Sequence, residues 1–258
     1  MLISKIKFNL KNWLELVRLP NLFTVPGDIL AGFSLAIYFA QNQHVNITGQ
    51  LIVKLSILCA ISVLIYAAGL IDNDLRDIER DKIYRSSRPL PSEKISEDIA
   101  GKVMIACMLV SIIAVFLLAN NLYSPTFRVA GGLIAAVLLY NRIKTRSKPI
   151  AAVLMGTCRG ANILLGASLL GWSGVQGAVI YASAVAIYIG VVTFIASFEH
   201  KKSGLPKLIG LLIRALIPIQ IACVCATYSE KSLTLSMLAV LLLCLLANIL
   251  TSRKIQSS

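Results

Sequence analysis

A short acidic run near residue 75 carries side chains at a spacing that could hold a metal ion. Five of the twelve acidic residues lie within it: Asp72, Asp74, Asp77, Glu79 and Asp81. On a helix, Asn73, Asp77 and Asp81 would share one face, with Asp74 beside them. Carboxylates on one face repel each other, so the arrangement is costly unless a cation lies between them. Mg²⁺ suits such a site because it takes oxygen ligands and completes its shell with substrate phosphates. The predicted metal ligands are therefore Asn73, Asp74, Asp77 and Asp81.

A basic run follows the acidic one. Arg85 and Arg88 precede the segment Pro89-Leu90-Pro91-Ser92. Guanidinium groups bind phosphate oxygens bidentately, and prolines stiffen the loop that presents them. Together the two runs predict a site for a metal-bound diphosphate on an apolar tail. In the alternative interpretation, a solvated loop, the basic residues within the acidic run simply balance its charge; they are Arg76, Arg80 and Lys82.

The composition indicates a membrane protein. The 258 residues are 57% hydrophobic and 14% charged, with a mean hydropathy of +0.79. A soluble domain of this size would need more polar surface. Eight apolar stretches approach the length that a helix needs to cross a bilayer; they cover about 20–41, 51–71, 99–120, 126–141, 148–171, 174–196, 207–227 and 232–251. The predicted fold is all-α, a single-domain polytopic bundle of about eight transmembrane helices over residues 1–258.

The net charge of +13 would suit nucleic acid, but its distribution predicts a topology instead. Basic residues cluster before the first predicted helix, after the second, fourth and sixth, and at the end of the chain. The opposite side carries only Lys54, Arg128 and Lys231. This asymmetry predicts that both termini are cytoplasmic. Without transit-peptide features, we expect a bacterial cytoplasmic membrane.

The six cysteines all lie in predicted helices and show no metal-ligand spacing.

The two runs resemble a known family. N-D-x-x-D-x-x-x-D followed by R-x-x-R-P-L-P-S, in the second loop of a polytopic protein, is similar to the UbiA superfamily of intramembrane prenyltransferases. The stretch Tyr140–Lys144 resembles the family's Tyr…Lys segment. Arg18-Leu19-Pro20-Asn21 and the stretch from Met155 to Asn162 look more like a divergent branch, the EboC-like proteins.

The resemblance implies a helical bundle around a cavity that opens to lipid. Family members bind a prenyl diphosphate through Mg²⁺ and transfer the prenyl group to an acceptor, usually aromatic, with release of diphosphate. Carried over to this chain, the acidic run would hold the metal, with Asp77 and Asp81 in catalytic roles. Arg85, Arg88 and Lys144 would bind phosphate, and Asn73 would also contact the substrate. The expected partners are thus a prenyl diphosphate, a lipophilic acceptor and the bilayer, and not nucleic acid.

One part of the family pattern is missing. The family has a second acidic motif, D-x-x-x-D, in the loop after the sixth helix, where this chain has Ser197–Gly204. Glu199 is the one carboxylate of that loop, and it is predicted as a metal ligand and catalytic residue. Either Glu199 binds a second Mg²⁺ alone, with charge supplied by Lys201 or Lys202, or the protein keeps the fold without the chemistry.

Polar residues within predicted helices offer further candidates, because polar groups in a membrane usually face the protein interior. Arg159 and Asn162, one turn apart, could line the cavity and contact the diphosphate or the acceptor. Alternatively, Arg159 pairs with Asp28 across two helices. For the base that deprotonates the acceptor, Glu199, Asp28 and Tyr140 are unranked candidates.

The predicted function is Mg²⁺-dependent transfer of a prenyl group from an isoprenoid diphosphate to an aromatic or other lipophilic acceptor. Two alternatives remain open. The first is a carrier that uses the same cavity for a lipophilic intermediate without forming a bond. The second is a non-catalytic membrane subunit, which would leave the acidic run unexplained.

Overall fold

The structure, a computed structural model, describes residues 9–40, 46–198, 204–227, 231–253 and 255. These residues form helices and connecting turns, and no strand occurs among them. In chain order the helices are α1 (Leu10–Leu16), α2 (Leu19–Leu22), α3 (Val25–Phe39), α4 (Gly49–Arg76), α5 (Ile78–Tyr84), α6 (Glu97–Ala119), α7 (Pro125–Ile143), α8 (Lys148–Ala167), α9 (Gly171–Ala196), α10 (Leu205–Arg214), α11 (Leu216–Ala226) and α12 (Lys231–Ser252).

Seven helical segments in the described part of the chain are long and apolar enough to cross a membrane. One of them, Lys148–Ala196, is 49 residues long and contains α8 and α9. The two helices are antiparallel, since Gly156 of α8 packs on Ala186 and Gly160 packs on Ala182. The chain reverses near Gly171, whose φ of 83° favours glycine. This hairpin accounts for two of the eight predicted crossings, so the predicted all-α membrane bundle is confirmed.

Prolines divide two of the predicted helices. The first predicted stretch consists of α2 and α3, and Pro26 lies in the first turn of α3, where its missing N–H costs nothing. In the seventh predicted stretch, Pro218 has no N–H to donate to the carbonyl of Arg214. The helix is therefore interrupted at Ala215, between α10 and α11.

The helix α3 forms the centre of the bundle. Ile29 and Phe33 are fully buried, and 78% of the span that includes α3 is buried, against 17% for the span of α6. The backbones of α3 and α8 approach closely because glycines lie between them. A methyl group at Gly32 would overlap the carbonyl oxygen of Ile163, and one at Gly166 would overlap that of Ile29. Small residues allow such contacts between membrane helices.

Candidate functional site

The acidic run lies at the end of α4, but it does not form one continuous helix as its spacing predicted. α4 ends at Arg76, and Asp77 (φ −96°, ψ 1°) joins it to α5. The Asp77 backbone N–H donates to the carbonyl of Asp74, three residues earlier, so the chain tightens there. Aspartate is a poor helix former, and the side chain of Asp77 is engaged in tertiary contacts. Nevertheless, all three predicted carboxylates are at least 95% buried; they belong to Asp74, Asp77 and Asp81.

Asp74 binds an arginine that the sequence did not single out as a site residue. An Nη atom of Arg18 lies 2.9 Å from Oδ1 of Asp74, and the Asn73 amide donates to the same oxygen at 3.0 Å. Arg18 lies between α1 and α2 with a φ of 48°, a left-handed conformation that is uncommon outside glycine. The sequence signal for Arg18 was the pattern Arg18-Leu19-Pro20-Asn21. This pattern could not indicate that its partner would be Asp74, 56 residues later.

Arg88 connects two of the carboxylates, which places one predicted phosphate ligand in the cluster. Its Nη1 atom is 2.8 Å from Oδ2 of Asp81 and 3.6 Å from Oδ1 of Asp74. Burial lowers the pKa of the Arg88 guanidinium, and nearby Arg18 lowers it further, whereas Asp74 opposes the shift. Arg85, the other predicted phosphate ligand, directly follows α5 and lies close enough to act on Arg88 electrostatically.

Lys144, at the end of α7, reaches the other side of the cluster. Its Nζ atom is 2.7 Å from Oδ2 of Asp77, and it donates to the Asn73 side-chain and backbone oxygens at 2.5 and 3.1 Å. Arg80 also contacts Asp77, at 2.8 Å. Burial lowers the pKa of the Lys144 ammonium, and the hydrogen bond to Asp77 opposes that shift. Three oxygens therefore surround one cation at this position.

Two acids of the run have other roles. Asp72 pairs with Arg76 at 3.0 Å and accepts a hydrogen bond from the buried amide of Asn141 at 2.8 Å, which ties α4 to α7. Sequence reasoning missed this role of Asn141, although it lies within the Tyr140–Lys144 stretch. Glu79 is exposed and pairs with Lys82. The basic residues of the run thus do balance several of its acids, as the alternative interpretation held.

The side-chain oxygens of Asn73 and Asp77 are suitable ligands for a divalent cation, because they already converge on the Lys144 ammonium. The remaining carboxylates are joined by arginine, and no group of three acidic, histidine or cysteine side chains stands ready for a metal in the described residues. A metal at Asn73 and Asp77 would therefore have to displace Lys144 Nζ. Glu199, the predicted ligand from the later loop, lies outside the described residues.

The segment with Glu199 follows α9, and its first residues, Ser197 and Phe198, are described. Lys148 donates to the backbone oxygen of Ser197 at 3.0 Å, and its Nζ atom lies 4.3 Å from the ring centroid of Phe198. Lys148 is therefore a flanking residue of this loop. Lys144, the predicted phosphate ligand, is the lysine of this region that contacts the acidic cluster.

A second polar cluster lies inside the membrane-spanning part of the bundle. Arg159 on α8 pairs with Asp28 on α3 at 2.8 Å, and both side chains are at least 95% buried. Asp28 also accepts from Asn162 at 3.1 Å and from Gln220 at 2.7 Å. The second Nη atom of Arg159 donates to Thr24 at 2.6 Å. Arg159 therefore pairs with Asp28, as the alternative interpretation held, and within the described residues neither Arg159 nor Asn162 bonds to the acidic run.

Arg159 and Asn162 nevertheless line a small cavity of about 20 Å³ between α3, α4, α7 and α8. Its apolar wall includes Val25, Ile65, Leu133, Val137, Met155 and Cys158. Ser62, Tyr66, Arg159 and Asn162 also line the cavity, but the surface that the lining exposes is almost entirely apolar. This volume holds about one or two water molecules, so a prenyl chain or an aromatic acceptor could enter only if these side chains moved.

Comparison with known proteins gives consistent results. A family model described as the UbiA prenyltransferase family matches residues 29–256. The digeranylgeranylglyceryl phosphate synthase of Methanocaldococcus jannaschii is 29% identical over 61% of this chain and 51% of its own length. The protein of the same name from Methanococcus aeolicus is 30% identical over 64% of this chain and 55% of its own length. The one from Methanococcoides burtonii is 29% identical over 66% of this chain and 59% of its own length. The chain thus spans little more than half the length of these curated relatives.

A solved structure from a study of digeranylgeranylglyceryl phosphate synthase in membranes shares the fold. Its TM-score is 0.59, and the match covers 95% of this chain and 99% of that one. The sequence identity is 20%, so this likeness concerns the arrangement of the helices.

Proposed function

The chain is an integral membrane protein that belongs to the UbiA prenyltransferase family, and we propose that it transfers a prenyl group from an isoprenoid diphosphate to a lipophilic acceptor, with release of diphosphate. The observation that carries this proposal is one buried cluster at the end of the bundle, in which oxygen donors and basic groups from three parts of the chain meet. Its members are Arg18, Asn73, Asp74, Asp77, Asp81, Arg88 and Lys144.

In the proposed reaction, the bond between the first prenyl carbon and the diphosphate oxygen breaks, and its electron pair leaves with the diphosphate. The same carbon bonds to a nucleophilic atom of the acceptor, which releases a proton. Arg18 and Arg88 are well placed to neutralise the charge that develops on the leaving group, because they are largely buried and held in position by Asp74 and Asp81. Lys144 would join them once the metal displaces it from Asp77. Arg85 lies beside Arg88 and would add to the same field.

Magnesium, when bound, would withdraw electron density from the departing oxygens. We propose that Asn73, Asp74, Asp77 and Asp81 hold it and that Asp77 and Asp81 are the essential ligands. Asn73 and Asp77 already surround a cation, the Lys144 ammonium, which supports their assignment. Glu199 is proposed as the carboxylate contributed by the later loop.

The acceptor must lose its proton to a base. Among the candidates, Asp28 is poorly suited because it already accepts hydrogen bonds from Arg159, Asn162 and Gln220. Tyr140 lies close enough to Arg18 to act on it electrostatically, and Glu199 belongs to the loop after α9. The Tyr140 phenol is protonated at neutral pH and could only relay a proton, so we propose Glu199 as the base.

We further propose that the acidic cluster faces the cytoplasm of a bacterial cell and that both termini lie on the same side. The support is the concentration of basic residues around the cluster and in the loops on its side of the bundle. In this orientation the released diphosphate, which cannot enter lipid, would leave directly into water.

The proposed function can be tested with purified protein in detergent. Geranyl, farnesyl and geranylgeranyl diphosphates would each be supplied with Mg²⁺, with and without a panel of phenolic and alcoholic acceptors, and diphosphate release and direct binding would be measured. We expect acceptor-dependent release with at least one diphosphate and none in EDTA. Tight binding without release across the panel would instead favour the carrier, and absence of both would reject a prenyl diphosphate as ligand.

A further inference from the structure

The far end of the interior cavity can be located relative to the acidic cluster along two helices. α4 and α7 both end at the cluster, where Lys144, directly after α7, donates to the side chain of Asn73 on α4. Ser62 lines the cavity and lies about 16 Å along α4 from Asn73, at the helical rise of about 1.5 Å per residue. Leu133 also lines the cavity and lies about 16 Å along α7 from Lys144. Both helices therefore place the far end of the cavity about 16 Å from the cluster.

The wall between the cluster and this far end suits a hydrocarbon chain. The surface that the wall exposes is almost entirely apolar, and its lining residues include Ile65, Val137 and Met155. The volume is about 20 Å³, so a chain has to displace side chains as it enters. Methionine is unbranched and flexible, and Met155 can therefore repack around such a chain. A prenyl chain whose diphosphate is bound at the cluster would extend into this cavity.

Hydrogen bonds between helices close the far end. The Ser62 hydroxyl on α4 donates to the side-chain oxygen of Asn162 on α8 at 2.5 Å. The Asn162 amide donates in turn to Asp28 at 3.1 Å and to the backbone oxygen of Val25 at 3.2 Å, both on α3. Ser62, Asn162 and Asp28 form a hydrogen-bonded layer, and each of them is at least 95% buried. A hydrocarbon chain that passed through this layer would leave buried polar groups unpaired, which is strongly unfavourable.

Packed side chains occupy the interior beyond the layer. Leu58 lies one turn beyond Ser62 on α4 and is fully buried, as are Phe33 and Leu165. These three leucine and phenylalanine side chains belong to one apolar core with Leu133. Core side chains are close-packed, so an additional group at this level would force strained rotamers and backbone shifts. The cavity therefore ends here for a chain that enters from the cluster.

We propose that the Ser62–Asn162 hydrogen bond and Leu133 limit the donor to about three isoprene units, so that the substrate is geranyl or farnesyl diphosphate and not geranylgeranyl diphosphate. This inference rests on the proposed function. Each isoprene unit adds four carbon–carbon bonds of about 1.5 Å, or about 5 Å to an extended chain. Three units therefore span about 15 Å and reach the far end of the cavity, whereas a fourth has to break the hydrogen-bonded layer or displace the core.

The test compares the binding of unreactive donors that differ in length. They are the geranyl, farnesyl and geranylgeranyl thiolodiphosphates, in which sulfur replaces the oxygen that would leave with the diphosphate. Calorimetry would measure their binding to the purified protein in detergent with Mg²⁺, and affinities would be expressed per mole fraction of donor in the micelle. We expect the geranylgeranyl donor to bind about tenfold or more weakly than the farnesyl donor. Equal or tighter binding of the geranylgeranyl donor would overturn the length limit.

A variant with a smaller side chain at the far end assigns the limit to this place. Leu133→Ala makes room for a fourth unit, so we expect the ratio of geranylgeranyl to farnesyl affinity to rise about tenfold above that of the wild type. Leu216→Ala is the matched control, because Leu216 is fully buried on α11 in a different apolar cluster from Leu133; its ratio should equal that of the wild type. An unchanged ratio in folded Leu133→Ala protein would reject this location.

Ser62→Ala provides a second variant if Leu133→Ala does not fold. The change removes the hydroxyl that donates to Asn162, so a longer chain no longer has to break this bond. We expect the ratio of geranylgeranyl to farnesyl affinity to rise in this variant as well, and an unchanged ratio would show that the hydrogen bond does not set the limit.

Because the binding assay requires no turnover, its result is separate from that of the proposed function. A length limit without any prenyl transfer would reject the transferase and leave the length-limited cavity in place. Prenyl transfer combined with equal binding of the farnesyl and geranylgeranyl donors would reject the length limit and leave the transferase in place.

Discussion

The Nζ atom of Lys144 lies 2.7 Å from Oδ2 of Asp77, at a point where two oxygens of Asn73 also converge. The ammonium thus takes the place that a metal ion would take between the same ligands. A divalent cation can enter only if Lys144 leaves, and a bound diphosphate would offer the displaced ammonium new oxygens. We therefore predict that Lys144 competes with metal in the free protein and contributes to diphosphate binding in the complex.

Lys144→Met should accordingly change two affinities in opposite directions. Without diphosphate, the affinity for Mn²⁺, used as a spectroscopic probe for Mg²⁺, should rise because the competing ammonium is gone. The affinity for inorganic diphosphate in the presence of metal should fall by about 10- to 100-fold, the loss expected for one charged hydrogen bond. Electron paramagnetic resonance would follow Mn²⁺, and calorimetry would follow diphosphate.

The matched control for this experiment is Lys82→Met, since Lys82 pairs with the exposed Glu79 and does not contact the buried acids. It should leave both affinities near those of the wild type. A fall in both affinities in the Lys144 variant would mean that Lys144 supports the fold of the cluster and does not compete with metal.

Asn248 on α12 should affect diphosphate binding through Arg18, because it bonds to α2, directly after this arginine. Its buried amide donates to the carbonyl of Pro20 at 2.6 Å, and its oxygen accepts from Arg214 at 2.7 Å. Asn248→Leu leaves both partners without this amide, at a cost of about 1–3 kcal/mol in stability. Without the bond from Asn248 to Pro20, Arg18 should be held less firmly and should bind diphosphate less tightly.

A double-variant cycle tests this coupling. We expect Asn248→Leu and Arg18→Gln each to weaken diphosphate binding, and the combined variant to be no weaker than the stronger single one. Thr251→Val is the control, because the Thr251 hydroxyl bonds, among the described residues, to carbonyls of its own helix. Additive losses in the combined variant would show that Asn248 does not work through Arg18.

The close contact between α3 and α8 gives a prediction for stability. In Gly166→Ala, the added methyl group overlaps the carbonyl oxygen of Ile29, and overpacking of this kind costs about 1–3 kcal/mol or more. In Gly132→Ala, by contrast, the methyl group meets nothing within 4 Å, and the change should be neutral or stabilise α7 by about 0.5–1 kcal/mol. Thermal unfolding in detergent would compare the two variants. Equal melting temperatures would contradict the close approach of the helices.

The sequence was sufficient to predict the parts of the molecule that depend on local pattern. Apolar length predicted the membrane helices, and the family comparison confirmed the resemblance carried by the acidic and basic runs. The resemblance to the EboC-like branch stays a prediction. Lys144 was assigned from its motif, and it does join Asn73 and Asp77, about 70 residues away in the chain.

The features that the sequence could not predict depend on tertiary contacts. Periodicity could not show that α4 would end before Asp77, because the break accompanies partners on α5 and α7. Nor could it choose between the two interpretations of Arg159, whose pairing with Asp28 joins residues 131 positions apart. Nothing in the sequence indicated a role for Asp72, and its contact with Asn141 shows that it joins α4 to α7.

The most direct test of the central claim is Mg²⁺-dependent diphosphate release by the wild type, Asp81→Asn and Glu79→Gln proteins, with the best diphosphate and acceptor pair. Asp81 is buried and holds Arg88, whereas Glu79, in the same run, is exposed. We predict that Asp81→Asn lowers the rate about 100-fold or more, while Glu79→Gln stays within about twofold of the wild type. Equal rates in all three proteins would contradict a catalytic role for the buried carboxylates.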